Sequence, residues 1–405
     1  MVMLTVLTLW GLSLFIGQFS AAQYRTHVAQ DTAQALAEAK VALIGDAISR
    51  INVTDAGYLR LPDLGYTSPS GPPTEGFSSS NFTGNARDLS VVGKLPWKTL
   101  STNGYREANE CLWYVVSGRF KIASKTLVFN WDTQGQLDVI DGNGNTVASN
   151  LAALLVGPGA PLNGQDRSLS NPAYTECGGN YDARNYLDTY SAGDAVSGEV
   201  NYFTGSINNR VAPNANNKKF VMTNSKYYND NVLHITTEDI FLPLIRRDSF
   251  KAAIADLLNN PTFVSQLKTT AISAGKGTDN IQCRCDNFKC DDNDTSSTLS
   301  PAQESFYEFC KNWKEMLLLK KLQTPGAITV DGTSSEACSH VLFFSGTKAV
   351  GQSRSTNAEK ADVSNYLEGV NASSFSAASA PAWNFSGAST FDWSSPETDL
   401  VRCVP

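Results

Sequence analysis

An uncharged run at the start of the chain limits its folding more than any other feature. Residues 1–22, MVMLTVLTLWGLSLFIGQFSAA, carry no ionisable side chain, and the first charge is Arg25. No proline occurs before Pro62, so nothing interrupts a helix as the run passes into QYRTHVAQDTAQALAEAKVALIGDAISRI. About 20 apolar residues in a helix rise roughly 30 Å, the thickness of a bilayer core. From Val28 on, Ala33, Leu36, Ala37, Leu43, Ile44, Ala47, Ile48 and Ile51 recur at helical spacing. Arg25, Asp31, Glu38, Lys40, Asp46 and Arg50 lie among them. Three readings compete: a secretory signal ending at Ser20-Ala21-Ala22, a plain membrane anchor, or a helix buried by copies of itself at one end and by its own head at the other. A signal would need a basic start. A plain anchor has no use for about seven further amphipathic turns. The pattern favours the third reading.

The 405 residues leave room for two or three domains. Only 18% are charged, and Gly, Ser, Asn and Thr are abundant, which favours strands and turns over a helical bundle. A net charge of −7 with scattered Lys and Arg excludes a nucleic-acid partner, which would need a basic stripe. The eight cysteines are Cys111, Cys177, Cys283, Cys285, Cys290, Cys310, Cys338 and Cys403. An even count in such a chain reads as disulfides formed in an oxidising compartment. The competing metal reading rests on Cys283, Cys285 and Cys290, which lack an adjacent His or a second paired motif. HExxH, GxSxG, P-loop and dinucleotide fingerprints do not occur. His27, His234 and His340 sit in the first helix and in two expected strands. No catalytic residue, metal or cofactor is assigned, and the chain reads as a non-enzyme.

Strands are expected near Leu112–Val116, Leu127–Asn130, Leu137–Ile140, Ala152–Val156, Val232–Thr236, Ile328–Val330 and Val341–Phe344. Asp141-Gly142-Asn143-Gly144 reads as a hairpin turn. One helix is expected over Thr237–Asn259. Another starts at the capping sequence Ser300-Pro301-Ala302-Gln303 and runs to about Leu322. Two stretches echo each other. ALLVGPGAPLNGQDRS from Ala153, with NYLD at Asn185–Asp188, matches HVLFFSGTKAVGQSRS from His340, with NYLE at Asn365–Glu368. Gln165 and Arg167 align with Gln352 and Arg354. The duplicated loops read either as a ligand site present twice or as scaffold in which Gln and Arg satisfy backbone carbonyls. The sequence favours the scaffold, because neither copy carries a nucleophile, base or metal ligand.

The first helix resembles that of type IV pilins and type II secretion pseudopilins. More narrowly, AQALAEAKVALIGDAIS, GYLRLPD, GKLPWKTL, ECLWYVVSGRF, LLVGPGAPLNGQDRS, NYLD and VLHITTEDIF resemble large bacterial prepilin-type proteins over roughly residues 1–250. The resemblance implies an α+β fold with a long N-terminal helical stem (1–51). A large β-rich head containing the repeat would follow, with a first half at 52–260 and a Cys-rich second half at 261–405. It implies a filament subunit that polymerises through Met1, Leu4, Thr5, Leu9, Leu12, Phe15, Ile16 and Phe19. The precursor would be held in a bacterial inner membrane, processed and methylated by prepilin peptidase, and passed to pilus or secretion assembly machinery into an extracellular homo-oligomer. Two features depart from the family. Thr5 stands where a pilin usually keeps glutamate, if Met1 is the first mature residue, and no basic-Gly leader is present. The alternatives are a minor pilin or pseudopilin that primes or tips a filament, and a membrane-anchored adhesin or binding protein.

Overall fold

The computed structural model describes residues 2–65, 68, 70–71, 74–82, 87–102, 105–106, 110–169, 176–177, 179–188, 218–225, 227–268, 284–285, 288–289, 301–377, 379 and 383–405; side chains are not described at 2–22, 25, 105–106, 184, 218, 266, 284–285, 288–289 and 301–303. The chain forms two compact units that interleave along the sequence. One takes Met1–Asp46, Leu59–Lys125 and Gly135–Thr236; the other takes Ala47–Tyr58, Thr126–Gln134 and Thr237–Pro405.

Helix α1 is Val2–Ser49. In the first unit it buries Thr32, Leu36, Ala39 and Leu43, spaced to form a single face. Ala33, Ala37 and Val41 are exposed, so the buried face is narrower than the apolar pattern implies. Lys40 Nζ donates to the His234 carbonyl at 3.1 Å, and Arg60 pairs with Asp46 at 2.9 Å. The last turn of α1 carries no basic residue of its own. In the second unit, the Arg247 guanidinium instead donates to the carbonyls of Ile48 and Arg50, acceptors that a helix end leaves unsatisfied.

The two larger sheets of the first unit are built from β1 (Val91–Lys94), β2 (Trp113–Val116), β3 (Leu137–Ile140), β4 (Thr146–Leu151), β5 (Ala153–Gly157), β6 (Lys218–Val221) and β7 (Asn231–Ile235). One sheet runs β1-β2-β5-β7, with every pair antiparallel. The other runs β4-β3-β6, with β3 and β6 parallel. Trp113, Val115, Leu154 and Val156 of the first pack with Leu137, Val139, Leu151 and Phe220 of the second. The two sheets thus share one apolar core.

The second unit holds α2 (Thr237–Ile245), α3 (Asp248–Asn259), α4 (Pro261–Leu267), α5 (Pro301–Trp313) and α6 (Gly369–Ser376). Its sheet strands are β8 (Leu317–Val330), β9 (Thr333–Phe344), β10 (Trp383–Phe385) and β11 (Leu400–Val404), in the order β10-β8-β9-β11. An aromatic cluster fills its core. Trp131 meets Trp313 edge-on at 4.7 Å between ring centroids, and Phe250 lies 5.1 Å from Trp313 and 5.3 Å from Phe391. Such edge-to-face pairs add to the apolar burial of large rings.

These observations overturn the expected stem-and-head architecture. The described side chains of α1 include Asp31, Glu38, Lys40 and Asp46. Among the described residues no helix is long and apolar enough to cross a membrane. The remainder is a mixture of helices and several separate sheets rather than a β-rich head. Smaller expectations shift as well. Thr237–Asn259 divides into α2 and α3 around Arg247, which adopts an extended backbone. Leu317–Leu322, expected as the end of a helix, opens β8 and pairs with β9. Leu127–Asn130 forms no strand. The Asp141–Gly144 turn leads from β3 into β4, a strand the sequence reading omitted.

Three strands of each unit share one ladder. In the first, Trp113 faces Val156, which faces Val232. In the second, Leu318 faces Phe343, which faces Val401. The fourth strand differs, because β1 is antiparallel to β2 whereas β10 is parallel to β8.

Candidate functional site: two arginine loops

The loop that leaves β5 and the loop that leaves β9 are built by the same hydrogen bonds. Gln165 Oε1 accepts from the Leu162 amide at 2.8 Å, as Gln352 Oε1 does from Ala349 at 2.9 Å. Arg167 Nε donates to the Asn185 carbonyl at 2.8 Å, and Arg354 Nε to the Asn365 carbonyl at 2.5 Å. Each arginine's Nη1 donates to the glycine carbonyl at the foot of its loop, Gly159 at 2.9 Å and Gly346 at 3.0 Å. The guanidinium lies over the tyrosine of the Asn-Tyr-Leu element, 5.0 Å from Tyr186 and 4.4 Å from Tyr366. Asn185 and Asn365 close each loop by accepting an amide, from Asp166 and Ser353. Arginine suits this work because its planar fork presents five donors in fixed directions.

The acids around each arginine differ. Arg167 Nη1 meets both oxygens of Glu110 at 2.9 Å, with the Glu110 side chain 24% exposed. Glu315 holds the equivalent place on the second ladder but pairs with Lys360 at 2.8 Å. Arg354 turns instead to Asp132 at 3.1 Å, and both side chains are almost fully buried. Lys348 approaches the other Asp132 oxygen at 3.5 Å.

Each loop is tied to the start of the ladder's last strand by a carboxylate. Asp230 Oδ1 accepts from the Gly159 amide at 2.9 Å, and Asp399 Oδ1 from Gly346 at 3.3 Å. In the first unit the tie is reciprocal: the Asp188 amide donates to Asp230 Oδ2 at 2.8 Å, and the Asp230 amide to Asp188 Oδ2 at 3.0 Å. Burial raises the pKa of both, and the Asp188 charge raises Asp230 further. In the second unit Asn371 Nδ2 supplies a neutral donor to Asp399 at 2.9 Å. Burial still lifts Asp399 to about 7. Glu368, the counterpart of Asp188, is also raised by burial and accepts from Gln352 Nε2 at 2.6 Å. The sequence reading did not single out Asp230 and Asp399. Their one local signal is a shared Asp-x-Val opening the last strand.

A second polar cluster lies inside the first unit. Asp63 accepts the amides of Gly65 and Gly76 and the Tyr181 hydroxyl, each at 2.7 Å. Burial drives it up to about 7. Burial also pulls Lys94 down to about 8, opposed by the charges of Glu75, Asp63 and Glu110. Lys94 Nζ lies 4.3 Å from the Tyr181 ring centre. Glu75 accepts the amides of Glu176 and Cys177 beside the Cys111–Cys177 disulfide. These groups hold backbone segments together.

Cys338 pairs with Cys403, and Cys310 is also disulfide-bonded. Cys283 and Cys290, together with the side chain of Cys285, lie outside the described residues, as does Met1. Leu4, Thr5, Leu9, Leu12, Phe15, Ile16 and Phe19 fall on the α1 backbone, but their side chains lie outside the described set. Among the described residues no three His, Cys, Asp or Glu side chains are grouped to hold a metal. No family model, no curated protein and no solved structure matches the chain.

Proposed function

We propose that the chain is a structural, non-catalytic subunit of an extracellular filament of the type IV pilus kind, assembled through its uncharged N-terminal segment. The observation that carries the reading is the sequence of residues 1–22, free of ionisable side chains, at the start of a helix that continues into a folded unit. The use of the charged groups supports it. Arg167, Arg354, Asp230 and Asp399 each bond the chain's own backbone, and Arg167, Arg354 and Asp399 also bond its own side chains, as suits a part that must be rigid. The disulfides fit an oxidising, extracellular setting. On this reading, an inner-membrane precursor is processed by prepilin peptidase and handed to an assembly machine. Packing and polar matching then drive association, because lipid already solvates apolar side chains.

The test is electron microscopy of purified filaments combined with mass spectrometry of the chain's N-terminus. Filaments composed mainly of this chain are expected. Leu9→Asp and Leu12→Asp should abolish them while circular dichroism of the folded units stays unchanged. Recovery of the protein only as a monomer, or intact filaments from either variant, would sink the reading.

A further inference from the structure

Among the described residues, the outer edge of the ladder's last strand is covered by a chain segment in one unit and by none in the other. In the second unit a short segment lies parallel to β11. The Ala388 amide donates to the Asp399 carbonyl at 2.9 Å, and the Val401 amide to the Ala388 carbonyl at 3.1 Å. Gly387 precedes this contact with φ +154, and a Cβ there would stand 2.4 Å from the Asp399 carbonyl oxygen. The covering segment therefore has to be small at that position.

The ladder equivalence carries this edge across. Val232 corresponds to Val401, and Asp230 to Asp399. The Ala152 amide bonds the Ile235 carbonyl, and side alternation along a strand then turns the backbone of residues 230, 232 and 234 outward. His234 agrees, since its carbonyl meets Lys40 Nζ rather than β5. The Asp230 carbonyl and the Val232 amide thus point where Asp399 and Val401 hold their covering segment. Among the described residues no strand pairs there. A cavity of about 360 Å³ lies there instead, lined by Ala33 and Leu36 of α1 and by Met222, Thr223, Asp230 and Val232.

We infer that this open edge is a docking site for an extended, small-residue strand of a partner polypeptide, which adds parallel to β7 as Ser386–Ala388 adds to β11. Edge strands capture extended peptides in this way, with backbone bonds giving attraction and the surrounding shape giving selectivity. The chain's own Ser386–Ala388 is engaged within its unit, so a second copy has no free segment of that sequence to offer. The one carboxyl in the lining, Asp230, is held up to about 8 by burial and by the neighbouring Asp188 and is taken up by the Gly159 and Asp188 amides, so the site presents little charge and an uncharged strand fits. This inference is independent of the filament reading.

The probe is a fluorescein-labelled peptide, Asn-Phe-Ser-Gly-Ala-Ser-Thr, the sequence of residues 384–390. It is titrated with the full chain by fluorescence anisotropy. Saturable binding is expected. Val232→Pro removes the outward amide, which an edge strand tolerates, and trims a side chain packed against the core; it should weaken binding at least tenfold with the fold retained by circular dichroism. Thr223→Trp, which fills the cavity, should do the same if the proline variant does not fold. A peptide carrying Gly387→Val should also bind at least tenfold more weakly. Absence of saturable binding, or equal binding by the variants, overturns the inference. So does a slowly exchanging Val232 amide in the monomer, which would show that the chain covers its own edge. Self-association lost in Val232→Pro without peptide would assign the edge to a second copy and overturn it as well.

Discussion

The two arginine loops share a wiring diagram and differ in what surrounds it. Around Arg167 the acid partner is Glu110, partly open to water. Around Arg354 it is Asp132, taken from a segment outside the ladder and sealed from solvent. The backbone bonds match nearly one for one, whereas the charge partners have been exchanged. Geometry that serves the backbone is hard to alter, because each lost bond leaves a buried carbonyl or amide unsatisfied. A counter-charge can arrive from any nearby segment and do the same electrostatic work.

The largest expected effect tests that contrast directly. Arg354→Ala leaves Asp132 buried without its main counter-charge and should cost about 3–5 kcal/mol. Arg167→Ala leaves Glu110 able to reach water and should cost roughly 1–3 kcal/mol, mainly through lost carbonyl bonds. Urea denaturation of the two variants measures both, and equal losses would break the comparison. Disulfide removal should instead be symmetric. Cys111–Cys177 and Cys338–Cys403 span separations of 66 and 65 residues, and chain entropy predicts about 4 kcal/mol for each. Melting of the Cys111→Ser/Cys177→Ser and Cys338→Ser/Cys403→Ser variants checks this, and a marked inequality would point to strain or residual unfolded-state structure.

The loop glycines give a smaller test. An added Cβ at Gly346 would stand 2.3 Å from the Glu397 backbone, whereas at Gly159 its nearest obstacle is the Asn229 side-chain amide, with the Asn229 carbonyl at 2.5 Å. A side chain yields more readily than backbone. Gly346→Ala should therefore cost about 2–3 kcal/mol and Gly159→Ala about 1–2 kcal/mol, read from the same urea transitions.

The pH dependence gives a further test. Asp399 sits near 7 when folded and at the usual carboxylate value when unfolded. Between those values the folded state binds more protons, so this group makes stability fall as pH rises from about 4 to 7. His340 acts in the opposite direction. Burial and the nearby Lys321 and Lys268 hold it below its usual value, so its contribution is lost as pH falls below about 6.5. Asp63, Asp188, Asp230 and Glu368 are raised by burial and act in the same direction as Asp399, so Asp399→Asn should make the first slope shallower and leave the second, as seen by melting temperature across pH 4–8. An unchanged profile would mean that Asp399 is not held protonated.

The sequence disclosed the loops because repetition is visible without a fold. Gln165 and Arg167 align with Gln352 and Arg354 over identical spacing, and their bonds are local to the loop and the Asn-Tyr-Leu element. The carboxylates that tie each loop down were not readable in the same way. Asp230 comes 71 residues after Gly159, and only the paired strands bring them together. Asp132 is further hidden, because it lies 222 residues from Arg354 and has no counterpart in the other copy. Strand β3 and its turn were readable, since Asp141 and Gly144 state the reversal locally. Leu317–Leu322 was not. LLLKKL follows a well-started helix, and pairing with β9 overrides any local helical preference. The N-terminal run misled about architecture for a related reason. Its apolarity speaks of what can surround it, and says little of the mixture of helices and sheets that follows.

The interleaving of the two units constrains how the chain can be made. Residues 47–58 and 126–134 belong to the second unit, yet they leave the ribosome long before Thr237. Until then Trp131 has neither Trp313 nor Phe250 to pack against. No single cut yields two self-sufficient pieces: a chain ending at Thr236 would carry an orphaned aromatic segment within an otherwise complete neighbour. Vectorial synthesis therefore cannot finish the second unit early, and a truncated or stalled chain is expected to present Phe129 and Trp131 to chaperones or to aggregation.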